Sequence, residues 1–226
     1  MSTKLARLAF LALLVAVVAV LTFRLASARD RAVLLPDPQL DSPLAANGDS
    51  TAVIAGGCFW GIQAVFQHVK GVKTAISGYS GGTASTAEYE SVGTGRTGHA
   101  ESVRITYDPS QISYGQLLKI FFSVAHDPTE LNRQGPDDGP QYRSVIFYSG
   151  EEQHRIAAAY VEQLQQARVF SRKIVTEISP LKGFYEAEAY HQDYATRHPR
   201  DPYIVINDAP KVAHLKQQFP AVYVGK

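Results

Sequence analysis

The chain has 226 residues, a formal net charge of +1 at neutral pH and 45% apolar residues, which is ordinary for a globular protein. This near-neutral balance argues against nucleic acid as the main partner. Removing the first 28 residues would take away three basic and no acidic residues, leaving 19 basic against 21 acidic, and does not change that conclusion. The single cysteine excludes an intramolecular disulfide and a multi-thiolate metal site.

The N-terminus carries a targeting pattern. Lys4 and Arg7 precede an almost continuous apolar run over residues 8–23, and Ala26-Ser27-Ala28 follows as a small-residue cleavage site. This order is typical of an export signal. An uncleaved membrane anchor is the alternative, although this run spans only about 24 Å as a helix, against about 30 Å of bilayer core. We predict a signal peptide or membrane anchor over residues 1–28 and a domain outside the cytoplasm, with cleavage after Ala28 left open.

Residues 29–50 are polar with three prolines and one glycine, which indicates a linker. The folded domain is therefore predicted over residues 51–226, where strand-like and helix-like patterns interleave. We predict an α+β fold: a single two-layer sandwich with helices packed on a mixed sheet and a ferredoxin-like core, preceded by the N-terminal apolar segment. The predicted strands are residues 51–55, 72–77, 102–107, 145–148 and 173–178.

Helical periodicity follows Cys58 and also appears after two capping boxes, Ser113 with Gln116 and Ser149 with Glu152. The helix that follows Ser149 is expected to end near Ala167. Shorter helices are predicted over residues 184–194 and 212–218. Residues 78–82 and 126–141 are predicted loops, and residues 203–211 are predicted to be extended.

Cys58 follows a predicted strand and Gly56-Gly57, and it precedes a predicted helix. Free N–H groups and the positive end of the helix dipole gather at such a position and favour the thiolate. Cysteines placed in this way can have a pKa of roughly 3.5–7.5, against about 8.5 when free. A lone cysteine is more often an inert core residue, but the helix start and the accessible glycine turn favour a nucleophile.

Two aromatic residues follow Cys58 directly. Phe59 fits the apolar stripe of the predicted helix, whereas Trp60, the only tryptophan, lies off it and is free to line a pocket beside the sulfur. The alternative is that both are simply core aromatics.

The motifs of this chain resemble those of the A-type methionine sulfoxide reductases, the peptide-methionine (S)-S-oxide reductases. The resemblance covers nearly all of residues 51–194, with its motifs in order and at the expected spacing. The matching residues are Gly57-Cys58-Phe59-Trp60-Gly61, Gly78-Tyr79-Ser80-Gly81-Gly82, Tyr89, Thr97-Gly98-His99-Ala100-Glu101, Tyr107-Asp108-Pro109, His126-Asp127-Pro128, Gln134-Gly135, Gln141-Tyr142-Arg143-Ser144, Phe184-Tyr185, Glu188 and His191-Gln192-Asp193-Tyr194.

The resemblance implies a reaction in which Cys58 attacks the sulfur of the S epimer of methionine sulfoxide and becomes a sulfenic acid. It makes Glu101 the acid that protonates the sulfoxide oxygen, a task that requires a pKa raised by burial. Tyr89 and Tyr142 would hydrogen-bond that oxygen, and Asp137 would order the network. Protein-bound and free methionine sulfoxide are both expected substrates, in the repair of oxidised proteins.

The resemblance further implies that Phe59 and Trp60 form the pocket for the S-methyl group. Each assignment has an ordinary alternative: Glu101 could be a solvated carboxylate at a strand end, the tyrosines could be two of twelve, and Asp137 could be a turn former. For His99 and His191 we predict structural hydrogen bonding.

The chain departs from many relatives in one respect, because residues 198–226 contain no cysteine that could resolve the sulfenic acid as a disulfide. The sulfenic acid on Cys58 must then meet an external thiol from a thioredoxin-like protein, a glutaredoxin-like protein or a small molecule, through a mixed disulfide. No bound cofactor and no metal are expected.

Two other hypotheses stay open from the residues alone. A cysteine hydrolase or acyltransferase would need a histidine within hydrogen-bond reach of Cys58. A non-enzymatic, anchored binding module would keep its function after Cys58→Ser.

Overall fold

The computed structural model describes residues 35–45 and 48–225. The predicted signal peptide or anchor lies outside these residues. Within them, no helix combines the length and the apolar character that a membrane span requires.

A six-stranded mixed sheet forms the centre of the domain, in the order β7-β6-β1-β3-β2-β8. All neighbouring strands are antiparallel except β6 and β7, which are parallel. A separate two-stranded hairpin is formed by β4 and β5. The predicted α+β class with helices on a mixed sheet is therefore confirmed. The strands are β1 (Ser50–Ala55), β2 (Val72–Ser80), β3 (Ala100–Tyr107), β4 (Arg133–Gln134), β5 (Asp137–Asp138), β6 (Val145–Tyr148), β7 (Glu177–Pro180) and β8 (Phe184–Glu186).

The helices pack on this sheet through apolar faces. The apolar positions that predicted the first helix, Phe59, Ile62, Val65 and Phe66, are all buried where that helix meets β2 and β3. The helices are α1 (Phe59–Gln67), α2 (Tyr89–Gly93), α3 (Tyr114–Ile120), α4 (Glu151–Gln166), α5 (Tyr194–Arg197) and α6 (Ala209–Gln218), with π-helical turns at Phe121–Ala125 and Ile204–Asp208.

One of the two predicted capping boxes is present. The Ser113 hydroxyl accepts from the backbone N–H of Gln116, and the Gln116 side chain accepts from the backbone N–H of Ser113. The second prediction is wrong, because α4 begins after Gly150, whose φ of 93° carries the chain into the helix without a side-chain cap. Ser149 instead donates its backbone N–H to Oε1 of Gln153 at 2.8 Å.

Four other segments differ from their predictions. The predicted loop at residues 78–82 begins as strand, because β2 continues to Ser80 by pairing with β8. Residues 184–186 accordingly form that strand and not the start of a helix. The strand predicted at residues 173–178 is displaced to Glu177–Pro180. The tail at residues 204–218 is helical, so the prediction of an extended segment at residues 203–211 is wrong.

Residues 35–45, here called the N-terminal strap, lie against α3 and α4. Leu35 is buried, and the Pro36 carbonyl accepts from the Tyr160 hydroxyl at 2.9 Å. Asp41 accepts from the backbone N–H of Gly115 at 2.7 Å and from the Ser113 hydroxyl, at the start of α3. Residues 35–45, which are part of the predicted linker, therefore pack against the domain.

Candidate active site

The only cysteine lies at the N-cap of α1, at the end of a sharp turn. Gly57 adopts a φ of 98°, a conformation that disfavours any residue with a Cβ. A Cβ at this position would also lie 2.5 Å from Cγ of Gln134, which β4 brings over the turn. The glycines therefore place Cys58 at the helix start, as predicted.

Cys58 is buried, with 7% of its surface exposed. Burial raises the pKa of its thiol well above the ordinary value, and the charges of Glu101 and Asp208 raise it further. The backbone N–H of Trp60 and the ammonium of Lys211 act in the opposite direction but do not compensate. The prediction of a lowered thiol pKa is wrong, because desolvation of the buried thiol outweighs the helix-start effect.

Glu101 lies on β3 and is 3% exposed, so the solvated alternative is wrong. Its Oε2 accepts a hydrogen bond of 3.1 Å from the backbone N–H of Phe59. Burial raises the pKa of Glu101 to about 8, although the Phe59 hydrogen bond lowers it. This direction agrees with the expectation of a carboxyl that keeps its proton near neutral pH.

Tyr89 on α2 and Tyr142 in the 3₁₀ turn at Pro140–Tyr142 both lie within electrostatic range of Glu101 and Cys58. Burial raises the pKa of both hydroxyls, with further contributions from the charges of Glu101 and Cys58. Both phenols are therefore neutral hydrogen-bond donors within electrostatic range of the sulfur and the carboxyl.

Asp137 is half-buried on β5 and accepts a hydrogen bond from the hydroxyl of Tyr203. Burial raises the pKa of Asp137, while Tyr203 and Lys211 lower it. Its charge reaches Glu101 and Tyr142, whose pKa values it raises. The structure thus joins the four predicted polar residues, Glu101, Tyr89, Tyr142 and Asp137, into one electrostatic group beside the thiol.

The two aromatic residues after Cys58 have different environments. Phe59 is a core residue, 1% exposed, with its ring centroid 5.8 Å from that of Tyr79. Trp60 is half-buried and stacks on Tyr194, with 3.7 Å between ring centroids. Its indole N–H donates to Nδ1 of His191 at 3.2 Å, so the position of the ring is fixed from two sides.

The histidines behave as structural residues. His99 accepts from the backbone N–H of Gly82 at 3.2 Å and contacts the Thr83 carbonyl at 3.0 Å, and His191 accepts from Trp60. Among the residues that the structure describes, no histidine hydrogen-bonds to Cys58. The arrangement required by the hydrolase hypothesis is therefore missing from this part of the chain.

Sequence reasoning assigned no role to several residues that contact the site. Glu188, a motif residue, accepts from the Tyr79 hydroxyl at 2.8 Å and from the backbone N–H of Tyr89 at 2.9 Å. Three tail residues, Tyr203, Asp208 and Lys211, also face the site. Asp208 and Lys211 are three residues apart, a spacing that places both on one face of a helix. This spacing is the sequence signal that could have identified the tail as part of the site.

Metal chemistry finds no support in the described ranges, 35–45 and 48–225. Within them, no three histidine, cysteine or carboxylate side chains are grouped in a way that could hold a metal ion.

Comparisons with known proteins give a consistent result. The model of the family described as peptide methionine sulfoxide reductase matches residues 50–222. The chain is 62% identical over 182 residues to peptide methionine sulfoxide reductase MsrA 2 of Mesorhizobium japonicum, covering 80% of this chain and 93% of the relative. It is 52% identical over 189 residues to MsrA 2 of Synechocystis, covering 82% of this chain and 88% of the relative.

Two solved structures share the fold. Methionine sulfoxide reductase A of Corynebacterium diphtheriae is 35% identical with a TM-score of 0.59, covering 75% of this chain and 86% of the other. Mxr1 of Saccharomyces cerevisiae in its reduced form is 32% identical with a TM-score of 0.62, covering 72% and 92%.

A thiol near a buried carboxyl with a raised pKa suits the removal of oxygen from a bound substrate, which is the chemistry of a thiol-dependent oxidoreductase. The chain belongs to the peptide methionine sulfoxide reductase family. It is thus an enzyme that reduces the S epimer of methionine sulfoxide in protein repair, and the binding-module hypothesis is set aside.

Proposed function

We propose that Cys58 reduces the S epimer of methionine sulfoxide directly, with Glu101 as the general acid. The Cys58 sulfur attacks the sulfoxide sulfur while Glu101 donates its proton to the sulfoxide oxygen. The oxygen ends on the cysteine sulfur as a sulfenic acid, and the methionine thioether is released. Two electrons pass from Cys58 to the substrate sulfur, so the cysteine is oxidised as the sulfoxide is reduced.

The observation that carries this proposal is the burial of the Glu101 carboxyl, which is held by the backbone N–H of the residue that follows Cys58. A carboxyl with a pKa of about 8 is neutral at pH 7 and holds the proton that the departing oxygen needs. The Phe59 backbone N–H fixes one carboxyl oxygen, which leaves the other carboxyl oxygen to carry that proton. A solvated glutamate would have lost its proton at this pH.

The neutral hydroxyls of Tyr89 and Tyr142 are assigned to the same oxygen as hydrogen-bond donors. Their raised pKa values keep their protons available. Asp137 orders the group through its contact with Tyr203 and through its effect on the pKa of Glu101.

Trp60 is assigned to the pocket for the substrate's S-methyl group, because it lies two residues after Cys58 and its indole is held by His191 and Tyr194. Phe59 is assigned to the inner wall of this pocket, where its buried ring supports the site. A thioether or sulfoxide methyl group packs favourably against such aromatic surfaces.

An external thiol must restore the enzyme, because this sequence has one cysteine. The first thiolate attacks the sulfenic sulfur, releases water and forms a mixed disulfide with Cys58. A second external thiol then attacks the sulfur of the first external thiol and forms a disulfide with it, which releases Cys58. A thioredoxin-like protein, a glutaredoxin-like protein or a small thiol fits this sequence of steps.

Two wider assignments extend this proposal. Export or membrane anchoring through residues 1–28 rests on the charge and apolar pattern of the sequence. A ferredoxin-like core is supported by the β1-α1-β2-β3-α3-β6 connection, with neighbouring strands in the order β6-β1-β3-β2.

The deciding experiment gives the full chain each epimer of a methionine sulfoxide peptide together with a dithiol. We expect turnover of the S epimer only and none in Cys58→Ser. Without the dithiol, the enzyme should release one methionine per chain and hold a sulfenic acid that a dimedone probe captures on Cys58. Turnover of the R epimer alone, or full activity in Cys58→Ser, would overturn the proposal.

A further inference from the structure

Two side chains of one loop lie against the glycine turn that precedes Cys58. A Cβ added to Gly56 would lie 2.8 Å from Cγ of His126, and one added to Gly57 would lie 2.5 Å from Cγ of Gln134. Carbon atoms in ordinary contact are about 3.5–4.0 Å apart, so only glycine allows the loop to come this close. Gly57 is joined to Cys58 by a peptide bond, and the contact with Gln134 is therefore one residue away from the nucleophile.

The imidazole of His126 is held in one orientation beneath Gly56. Burial lowers the pKa of His126 to about 4, so the ring is neutral at pH 7. Its Nδ1 donates to the Phe121 carbonyl at 3.2 Å, and its Nε2 accepts from the Ser144 hydroxyl at 2.7 Å. The ring also stacks on Phe121, with 4.0 Å between centroids. With both nitrogens bonded and one face covered, the ring is a rigid support for the turn.

The side-chain amide of Gln134 is held just as firmly. Its Oε1 accepts from the backbone N–H of Asp127 at 3.1 Å, and its Nε2 donates to the carbonyl of the same residue at 3.0 Å. Two hydrogen bonds to one residue fix both the position and the rotation of the amide. Because Asp127 follows His126 directly, Gln134 is tied to the same rigid support.

The strand that carries Gln134 also carries the contact to the other half of the site. On the β4–β5 hairpin, Gln134 is paired in register with Asp137, which accepts from the Tyr203 hydroxyl. Asp137 was assigned above to the ordering of the group around Glu101. The side chain of Gln134 thus packs on the turn before the nucleophile, while its backbone pairs with a residue of the acid group.

We propose that Gln134 is a positioning residue that holds the Gly56-Gly57 turn, and with it Cys58, in the geometry that sulfoxide reduction requires. It acts through the backbone of the turn and makes no bond to the substrate. Loss of the amide pairing with Asp127 frees the turn, so the sulfur and the proposed acid, Glu101, are no longer held at a fixed separation. This inference rests on the proposed role of Cys58 as the nucleophile.

The test measures a single turnover of an S-epimer peptide by the full chain without reductant, over a range of substrate concentrations. Gln134→Met keeps the length of the side chain but cannot pair with the Asp127 backbone. We expect the limiting rate constant to fall by about 10- to 100-fold, the usual result of a small misplacement of reacting groups, and the half-saturation concentration to stay the same. Gln166→Met, which removes an exposed glutamine bonded to Glu162 at 2.8 Å, is the matched control and should change neither value.

The amplitude of the same reaction separates positioning from stability. Each active chain releases one methionine, so the amplitude counts the folded enzyme and the rate constant reports its geometry. A merely structural role would lower the amplitude and leave the rate constant unchanged, which would overturn the proposal. A higher half-saturation concentration with an unchanged rate constant would also overturn it, because Gln134 would then act on substrate binding.

A second variant covers the case in which Gln134→Met does not fold, as judged by circular dichroism and thermal unfolding. Gln134→Glu has nearly the same size, but it places a carboxylate oxygen opposite the Asp127 carbonyl in place of the amide N–H. It should show the same fall in the rate constant, and a wild-type rate in this variant would overturn the proposal. In each of these cases the wild type still reduces the S epimer, so failure here leaves the reductase assignment intact.

Discussion

The backbone N–H of Phe59 donates a hydrogen bond of 3.1 Å to Oε2 of Glu101. The residue that follows Cys58 therefore anchors Glu101, the proposed acid, and the first turn of α1 links the two groups that are proposed to react. Substitutions near this contact should show which effects on the reaction come from the acid and which come from the thiol.

The rate of reduction should depend on pH through the shared protonation of Glu101 and Cys58. The reactive form carries one proton on Glu101 and none on Cys58. With a pKa of about 8 for Glu101 and a higher one for Cys58, both groups are protonated below pH 8, and both are ionised only above the thiol pKa. We therefore expect kcat/KM to rise through about pH 8 and to fall only at higher pH.

Single-turnover reduction of the S epimer below saturation measures this profile without the pH dependence of an added reductant. A profile that falls through pH 8 would show that the thiol of the free enzyme ionises before Glu101, contrary to the desolvation argument.

Glu101→Gln should slow the chemical step by roughly 100- to 10,000-fold, the usual contribution of a positioned general acid. Glutamine can still accept the Phe59 hydrogen bond but cannot donate an acidic proton. Cys58 should remain titratable at a lower pH, because the Glu101 charge that raises its pKa is lost. Single-turnover rates and thiolate absorbance test the two effects separately, and an unchanged rate would remove Glu101 from the acid role.

His191→Ala should act mainly on substrate binding. The substitution removes the acceptor at 3.2 Å from the Trp60 indole N–H, so the ring keeps its stacking on Tyr194 but loses its hydrogen bond. We expect KM for the S epimer to rise several-fold with a smaller change in kcat. His154→Ala, on the exposed start of α4, serves as the control. An equal loss in kcat with KM unchanged would show that His191 acts on the chemistry.

The N-terminal strap should contribute to stability and not to activity. Leu35 is 2% exposed, whereas Leu44 in the same strap is 57% exposed. Leu35→Ala should lower the free energy of unfolding by about 2 kcal/mol, because a buried side chain is lost. Leu44→Ala should leave it unchanged. Urea unfolding of the two variants makes the comparison, and equal effects would show that the strap does not pack in solution as it does here.

The sequence predicted the elements that local patterns determine. Alternation in residues 102–107 and helical spacing after Cys58 both gave the correct element, and so did the Ser113 capping box. These signals arise within a few residues and depend little on distant contacts. The predicted site residues likewise meet around Cys58, because the ordered motifs determine which strands and turns carry them.

Features that depend on distant contacts were not predictable in this way. The β-branched run Ile204-Val205-Ile206 suggests an extended segment, yet it forms a π-helical turn with Ile204 buried and the other two residues exposed. The thiol pKa was misjudged for a similar reason. A helix start is visible in the sequence, but the burial of Cys58 is not, and burial dominates.

The 7% exposure of Cys58 also determines the order of events in a catalytic cycle. With so little of the residue accessible, we expect the sulfoxide and the external thiol to approach Cys58 one after the other. Methionine has to leave before a reductant can reach the sulfur. Steady-state kinetics should therefore be of the ping-pong type, and added methionine should slow re-reduction by competing with the thiol.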